Sequence, residues 1–206
     1  MLNLCAALAR CPIAAILRGV KPNEIDAIGD ALVETGVTII EVPLNSPNPF
    51  ESIKRLAARH GAHALVGAGT VLETVDVARV AEAGGRLIVA PNFDAEVMRV
   101  AKAAGLLVLP GVMTPSEGFA ALKAGADGLK LFPAEIIPPT VFNAWRAVFP
   151  ADTLLLAVGG VGLDNIASYR AAGASGYGIG SALYKPGLPA AAIGKLARAL
   201  VAVAKA

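Results

Sequence analysis

The chain has 206 residues, a formal net charge of +2, a hydrophobic content of 55% and an aromatic content of 5%. That length suits one domain, and the near-neutral charge, with no Lys and Arg cluster among aromatic side chains, argues against a nucleic-acid partner. No apolar run approaches the roughly 20 residues of a membrane span, and the first ten residues lack a basic leader and a cleavage site, so we expect a cytoplasmic protein without membrane contact.

Short β-type segments recur along the chain at intervals of about 20 to 26 residues, each followed by a segment of helical length. Several of these Ala-rich amphipathic segments end in Gly, as a helix C-terminus often does. The predicted strands cover residues 13–18, 38–44, 64–68, 87–91, 106–111, 128–132, 154–159 and 176–181, and the clearest predicted helices cover 74–83, 95–104, 115–124 and 165–172.

Eight strand–helix units predict a (β/α)8 TIM barrel, with an open doubly wound sheet as the alternative. The strands are nearly continuous apolar runs, which is typical of parallel strands buried on both faces. An extra helix over residues 2–10 precedes the first strand, and we expect it to close the lower end of the barrel. No linker or low-complexity segment divides residues 1–206, which indicates a single barrel domain. In such a barrel, functional residues lie at the C-terminal ends of the strands.

The most unusual residue is Lys130, which lies in the apolar strand Gly-Leu-Lys-Leu-Phe at 128–132. Period-two alternation places Lys130 and Phe132 on the face that points into the barrel. One interpretation is a buried ion pair with an interior carboxylate. The other is a lysine whose pKa is lowered by desolvation, so that its neutral amine attacks a carbonyl.

Glu41 has the same peculiarity, because it interrupts an apolar, β-branched strand at 38–43. As the partner of Lys130 it would complete the buried ion pair. As a catalytic group it would move the protons that carbonyl–amine chemistry requires. We favour catalysis, because apolar residues would serve a pure packing role equally well.

Polar and glycine-rich segments follow the other strands. Arg18 ends the first strand, where its guanidinium is either a partner for a substrate carboxylate or a surface cation. The glycine segments at 158–161 and 178–181 follow strands seven and eight, the loops with which barrels often hold phosphate. Thr70 and the Pro91-Asn92 pair follow strands three and four, although the asparagine could simply cap the next helix.

A metal site is not expected from this sequence. Cys5 and Cys11 have no third or fourth cysteine beside them, and we interpret His60 and His63 as surface or boundary residues rather than ligands. Carbonyl chemistry on a phosphorylated sugar acid, without metal or cofactor, therefore summarises the residues best.

Seven motifs in order resemble the pyruvate-dependent class I aldolases of the 2-keto-3-deoxy-6-phosphogluconate and -galactonate family, over about residues 12–187. The motifs are Ile-Leu-Arg18-Gly, Glu41-Val-Pro-Leu-Asn45, Gly67-Ala-Gly-Thr70-Val, Pro91-Asn92, Pro110-Gly-Val-Met-Thr, Leu129-Lys130-Leu-Phe-Pro and Val158-Gly-Gly-Val. The resemblance implies a homotrimeric barrel in which Lys130 forms the Schiff base and Glu41 is the acid–base group.

The resemblance places substrate contacts on Arg18, Thr70, Gly160, Gly180 and Ser181. Together with the residue patterns, we expect substrate binding by Arg18, Thr70, Pro91, Phe132 and Val158, and phosphate binding by Gly159, Gly160, Gly180 and Ser181. The gluconate-type members often carry an arginine shortly after the glutamate and a threonine before the paired glycines. Here those positions are Asn45 and Val158, which resemble the galactonate-type members.

We therefore expect cleavage of a phosphorylated 2-keto-3-deoxygalactonate to pyruvate and a triose phosphate, with the gluconate epimer or 4-hydroxy-2-oxoglutarate as the alternative substrate. Two other functions stay open: an epimerase or synthase barrel with the same phosphate loops, and a non-catalytic phosphosugar-binding protein in which Lys130 and Glu41 form an inert ion pair.

Overall fold

Within residues 2–206, which the computed structural model describes, nine parallel strands form one sheet. The strands are β1 (Ile13–Ile16), β2 (Ile39–Pro43), β3 (Leu65–Gly69), β4 (Leu87–Val89), β5 (Leu107–Leu109), β6 (Gly111–Val112), β7 (Leu129–Leu131), β8 (Leu155–Val158) and β9 (Gly176–Ile179). Their order across the sheet is β5-β4-β3-β2-β1-β9-β8-β7-β6, and every neighbouring pair is parallel.

The first and last strands of that order, β5 and β6, are separated along the chain only by Pro110. The sheet therefore closes on itself, and the predicted fifth strand is present in two halves. Pro110 has no N–H to donate, but its carbonyl accepts a hydrogen bond of 2.9 Å from the N–H of Lys130 on β7. Counted in this way the strands number eight, and the predicted (β/α)8 barrel is confirmed.

Nine α-helices of the described chain connect the strands or flank them. They are α1 (Leu4–Arg10), α2 (Ile25–Glu34), α3 (Pro49–His60), α4 (Thr74–Glu82), α5 (Ala95–Ala103), α6 (Pro115–Lys123), α7 (Pro139–Arg146), α8 (Ile166–Ala171) and α9 (Ala190–Lys205). Helix α6 begins with a capping box, in which Thr114 and Glu117 satisfy each other's backbone N–H groups. The clearest predicted helices end within one residue of the observed bounds. No helix within residues 2–206 combines the length and apolar composition needed to cross a membrane.

The apolar core has two layers, divided by the sheet. The outer layer fills the space between strands and helices and contains Leu129 and Leu131, the two neighbours of Lys130. The inner layer fills the barrel and includes Leu65 and Leu156. Alternation along β7 thus sends the leucines outward and Lys130 inward, as the sequence predicts.

Helix α1 covers the lower end of the barrel. Its Leu4 and Leu8 belong to the inner apolar layer, and its Ala7 carbonyl accepts a 2.8 Å hydrogen bond from Oγ1 of Thr38, the residue before β2. Filling this end with leucine side chains removes apolar surface from water on both sides of the contact. The expected closing role of the N-terminal helix is confirmed.

Candidate active site

A cavity of about 360 Å³ opens at the C-terminal ends of β1, β7, β8 and β9. The structure brings eight of the eleven predicted site residues to its lining: Arg18, Lys130, Phe132, Val158, Gly159, Gly160, Gly180 and Ser181. A smaller interior cavity shares Ile16, Lys130, Val158 and Gly178 with it and reaches Glu41 among apolar side chains of the barrel interior. Lys130 therefore stands at the boundary between an open mouth and an apolar interior.

Lys130 is buried, with 6% of its surface exposed, and its Nζ lies 4.8 Å from the centre of the Phe132 ring. Burial lowers the pKa of the Lys130 amine, because the ammonium form loses its hydration. The carboxylate of Glu41 opposes this effect, whereas the positive charge of Arg18 adds to it. An amine in this setting is more readily neutral, and a neutral amine is nucleophilic.

Glu41 is 3% exposed, and its Oε2 atom has no hydrogen-bond partner among the residues that the structure describes. Burial raises the pKa of this carboxyl group, against the opposing charges of Lys130 and Arg18. No direct ion pair joins Glu41 to Lys130 in the described chain. The arrangement differs from the paired alternative, since both groups are shifted toward their neutral forms and are free to exchange a proton with a reactant.

Arg18 lies on the rim and is held by two neighbours. Its Nη1 donates to Asn45 Oδ1 at 2.5 Å and its Nη2 lies 3.5 Å from Thr70 Oγ1. Thr70 is thus brought to the site through Arg18. The sequence singled out Asn45 as a mark of family membership, but its contact with Arg18 had no signal in the sequence.

The opposite side of the mouth is built from glycines. Gly159 and Gly160 have φ values of +99° and +64°, which side-chain-bearing residues rarely adopt. After Gly180, the N–H groups of Leu183 and Tyr184 both donate to the Gly180 carbonyl at 2.9 Å. A single helical turn therefore begins at the cavity, and its first backbone N–H groups are available to an anion.

Two charged residues of this wall were missed by the sequence interpretation. Lys185 lines the cavity immediately after the turn, and the segment is anchored by a 2.8 Å hydrogen bond from Tyr184 Oη to Glu24. Glu135 packs against the paired glycines, where a Cβ on Gly159 would lie 2.6 Å from its carboxylate. Both are exposed, so neither is a polar residue within an apolar strand, the feature that identified Lys130.

Pro91 is the predicted site residue that the structure leaves apart. It follows β4 and its carbonyl packs against Gly111, but it is not in the lining of either cavity. His60 ends α3 as expected of a boundary residue, yet it is buried, with Nε2 3.1 Å from Asp30. Within residues 2–206, no three His, Cys, Asp or Glu side chains are grouped as metal ligands.

Known proteins are similar to this chain in both sequence and fold. The model of the KDPG and KHG aldolase family matches residues 5–195. A probable 2-dehydro-3-deoxy-6-phosphogalactonate aldolase of Rhizobium meliloti is 50% identical over 93% of this chain and 90% of its own length. The 2-dehydro-3-deoxy-6-phosphogalactonate aldolase of Escherichia coli is 44% identical over 86% of this chain and 87% of its own length.

A solved structure described as native KDPGal superposes with a TM-score of 0.92, at 42% identity and over 94% of both chains. The residues matched by the family model include the strands that carry Lys130 and Glu41. The chain belongs to the KDPG and KHG aldolase family.

Proposed function

We propose that this chain is a class I aldolase that cleaves 2-dehydro-3-deoxy-6-phospho-D-galactonate to pyruvate and D-glyceraldehyde 3-phosphate. The observation that carries the proposal is a buried lysine that lines two cavities, one with a glycine-rich wall and a smaller interior one that reaches Glu41, whose Oε2 has no partner among the described residues. The lysine and the glutamate suit carbonyl chemistry, and the glycine-rich wall suits a phosphate group.

In the proposed reaction, neutral Lys130 attacks the C2 carbonyl of the substrate, and loss of water from the carbinolamine gives an iminium. Glu41, directly or through a water, removes the proton of the C4 hydroxyl. The C3–C4 bond then breaks, its electron pair moves into the iminium to give an enamine, and the aldehyde is released. Glu41 returns the proton to C3, and hydrolysis of the new iminium yields pyruvate and free Lys130.

The two ends of the substrate would be held by different elements. Arg18 and Thr70 bind the carboxylate end. Binding energy at the far end positions the scissile bond over Lys130. The proposed phosphate ligands are Gly159, Gly160, Gly180 and Ser181, with Lys185 as an added cation, and Phe132 and Val158 are proposed to contact the carbon chain.

The galactonate epimer is favoured by two lines of support. The relatives at 50% and 44% identity are named for it, and Val158 is part of the cavity wall, next to Lys130 and Phe132. An apolar side chain at this position offers no hydrogen bond to a hydroxyl of the gluconate epimer. The C4 configuration is therefore proposed to be selected by the wall that contains Val158.

The protein is further proposed to act in the cytoplasm as a homotrimer of one-domain subunits. Exposed apolar side chains follow several strands at the mouth, including Leu72, Met113 and Ile136, and exposed apolar surface of this kind often marks an interface. All described strands join one sheet, which supports the one-domain organisation. Analytical ultracentrifugation tests the trimer: a sedimenting mass of one subunit would contradict it.

The chemistry is tested by trapping. The protein is incubated with pyruvate and reduced with borohydride, and peptide mass spectrometry is expected to find the pyruvate adduct on Lys130. Absence of an adduct on Lys130 would exclude the Schiff-base mechanism, and Lys130→Met gives the background labelling of the other lysines. Cleavage rates for the galactonate and gluconate epimers, measured side by side, test the specificity. Faster cleavage of the gluconate epimer would contradict it.

A further inference from the structure

Arg18 and Asn45 are brought together by the register of the first two strands. In the β1–β2 pair Ile16 lies opposite Glu41, and the N–H of Leu17 donates to the Glu41 carbonyl at 3.0 Å. The residues that follow each strand therefore leave the barrel side by side. At that point Arg18 Nη1 donates to Asn45 Oδ1 at 2.5 Å.

A second neighbour holds the guanidinium from the β3 side. Thr70, the residue after β3, has a φ of +57°, a left-handed conformation that is unfavourable for a β-branched residue. This conformation accompanies the placement of Thr70 Oγ1 at 3.5 Å from Arg18 Nη2. Arg18 is thus placed between two side chains on neighbouring loops, although it is itself exposed.

The N–H groups that Arg18 retains are the ones a substrate would use. Asn45 and Thr70 each take one N–H, one from each Nη nitrogen, so each Nη keeps a second N–H and the Nε N–H is also free of them. Arg18 lines the same cavity as Lys130. A guanidinium fixed in this way can offer two N–H groups to one carboxylate.

We propose that Asn45 is a positioning residue that holds the Arg18 guanidinium at the rim of the cavity that Lys130 lines, where Arg18 receives the carboxylate of the pyruvate unit. The inference rests on the proposed function, since it names how one end of that substrate is recognised. Asn45 acts through Arg18 and does not itself contact the substrate.

The identity of the residue matters, because an amide accepts a hydrogen bond without adding charge. An aspartate at position 45 would hold the guanidinium equally well but would neutralise it, leaving less attraction for a substrate carboxylate. The uncompensated charge of Arg18 also reaches the amine, since Arg18 contributes to lowering the pKa of Lys130. Asn45 therefore maintains both the position and the full charge of Arg18.

The test measures how the rate of borohydride trapping on Lys130 depends on pyruvate concentration, in the wild-type chain and in Asn45→Ala. We expect the half-saturating pyruvate concentration to rise about tenfold, as for loss of one charge-assisted hydrogen bond. In an Arg18→Met background, Asn45→Ala should have less than about a twofold further effect, because coupled residues are not additive. Asn45→Asp should also weaken pyruvate binding, and should move the acid limb of trapping to higher pH.

Ser46→Ala is the matched control for a general loosening of these loops, because Ser46 Oγ accepts a 2.9 Å hydrogen bond from the Gly19 N–H without touching the guanidinium. An equal rise in Ser46→Ala would assign the effect to the loop and overturn the proposal. An unchanged pyruvate dependence in Asn45→Ala, or an equal loss in both backgrounds, would overturn it as well. Failure of the wild-type chain to form any adduct would instead overturn the proposed function.

Discussion

A side chain on Gly69 and the carboxylate of Glu41 cannot occupy the barrel together: a Cβ on Gly69 would lie 1.4 Å from Glu41 Oε2. The two residues are close to the same level of the paired strands β2 and β3, with Pro43 opposite Gly69 in the register. The absence of a side chain on one strand creates the space for the acid on the next.

Gly69→Ala is therefore expected to displace Glu41 and to lower kcat by about 10²–10⁴-fold, the usual contribution of a positioned acid–base group. Overpacking should cost about 1–3 kcal/mol of unfolding free energy. Steady-state kinetics and thermal denaturation check both effects. Gly194→Ala in α9 is the matched control, because its Cβ meets nothing nearer than 3.5 Å. Full activity in Gly69→Ala would show that the Glu41 position is not needed.

Lys130→Met should abolish the pyruvate adduct and at the same time stabilise the fold by about 0.5–2 kcal/mol, as replacements of strained active-site groups commonly do. The physical reason is that folding at neutral pH opposes protonation of the buried amine, whose pKa is lowered by burial. The gain should shrink as the pH rises toward about 10.4 and should vanish above it, where the unfolded lysine is also neutral. Chemical denaturation at pH 7 and pH 11 measures it, with the exposed Lys195→Met as control. An equal gain at both pH values would contradict the explanation.

The pH dependence of Lys130 reactivity should respond to Glu41 in a defined direction. The negative charge of Glu41 raises the pKa of Lys130 against the larger effect of burial. Glu41→Gln removes that charge, so the pKa of Lys130 should fall further and the amine should stay neutral at lower pH. Competitive acetylation of Lys130, followed by mass spectrometry across a pH series, measures this without any turnover. A shift toward higher pH in Glu41→Gln would contradict the assignment of charges.

Lys185→Met tests the cation at the phosphate end. In the condensation of pyruvate with D-glyceraldehyde 3-phosphate, KM for the aldehyde should rise roughly three- to tenfold, because an exposed ion contact is worth about 1 kcal/mol. With unphosphorylated D-glyceraldehyde, KM should be unaffected. Added salt should reduce the difference. Lys195→Met on α9 is the matched control, and equal effects on both aldehydes in Lys185→Met would argue against a phosphate contact.

Much of the fold and the two central residues were predictable from the sequence, because each left a local signal. Lys130 and Glu41 interrupt apolar strands, and alternation alone gave their inward direction, which the structure confirms. The strand–helix spacing gave the barrel. The division of the fifth strand at Pro110 was not predicted, although the missing N–H of proline provides its cause.

Contacts between loops left no such signal. Asn45 and Arg18 are 27 positions apart and both exposed, so neither periodicity nor burial relates them. Lys185 resembles any surface lysine until the turn after Gly180 places it in the cavity wall. The space above Glu41 depends on a missing side chain on the neighbouring strand. The pattern of one segment does not show which residue of another strand lies beside it.

Helix α1 closes the barrel at the end opposite the mouth, because Leu4 and Leu8 fill that end. Under the proposed reaction, the three-carbon unit attached to Lys130 lies at the bottom, and the triose phosphate lies between it and the outside. The triose phosphate then has to depart first, and in the reverse direction pyruvate has to arrive first. The covalent bond to Lys130 sets this order, and the seven residues of α1 keep both partners on the side of the mouth by closing the other end of the barrel.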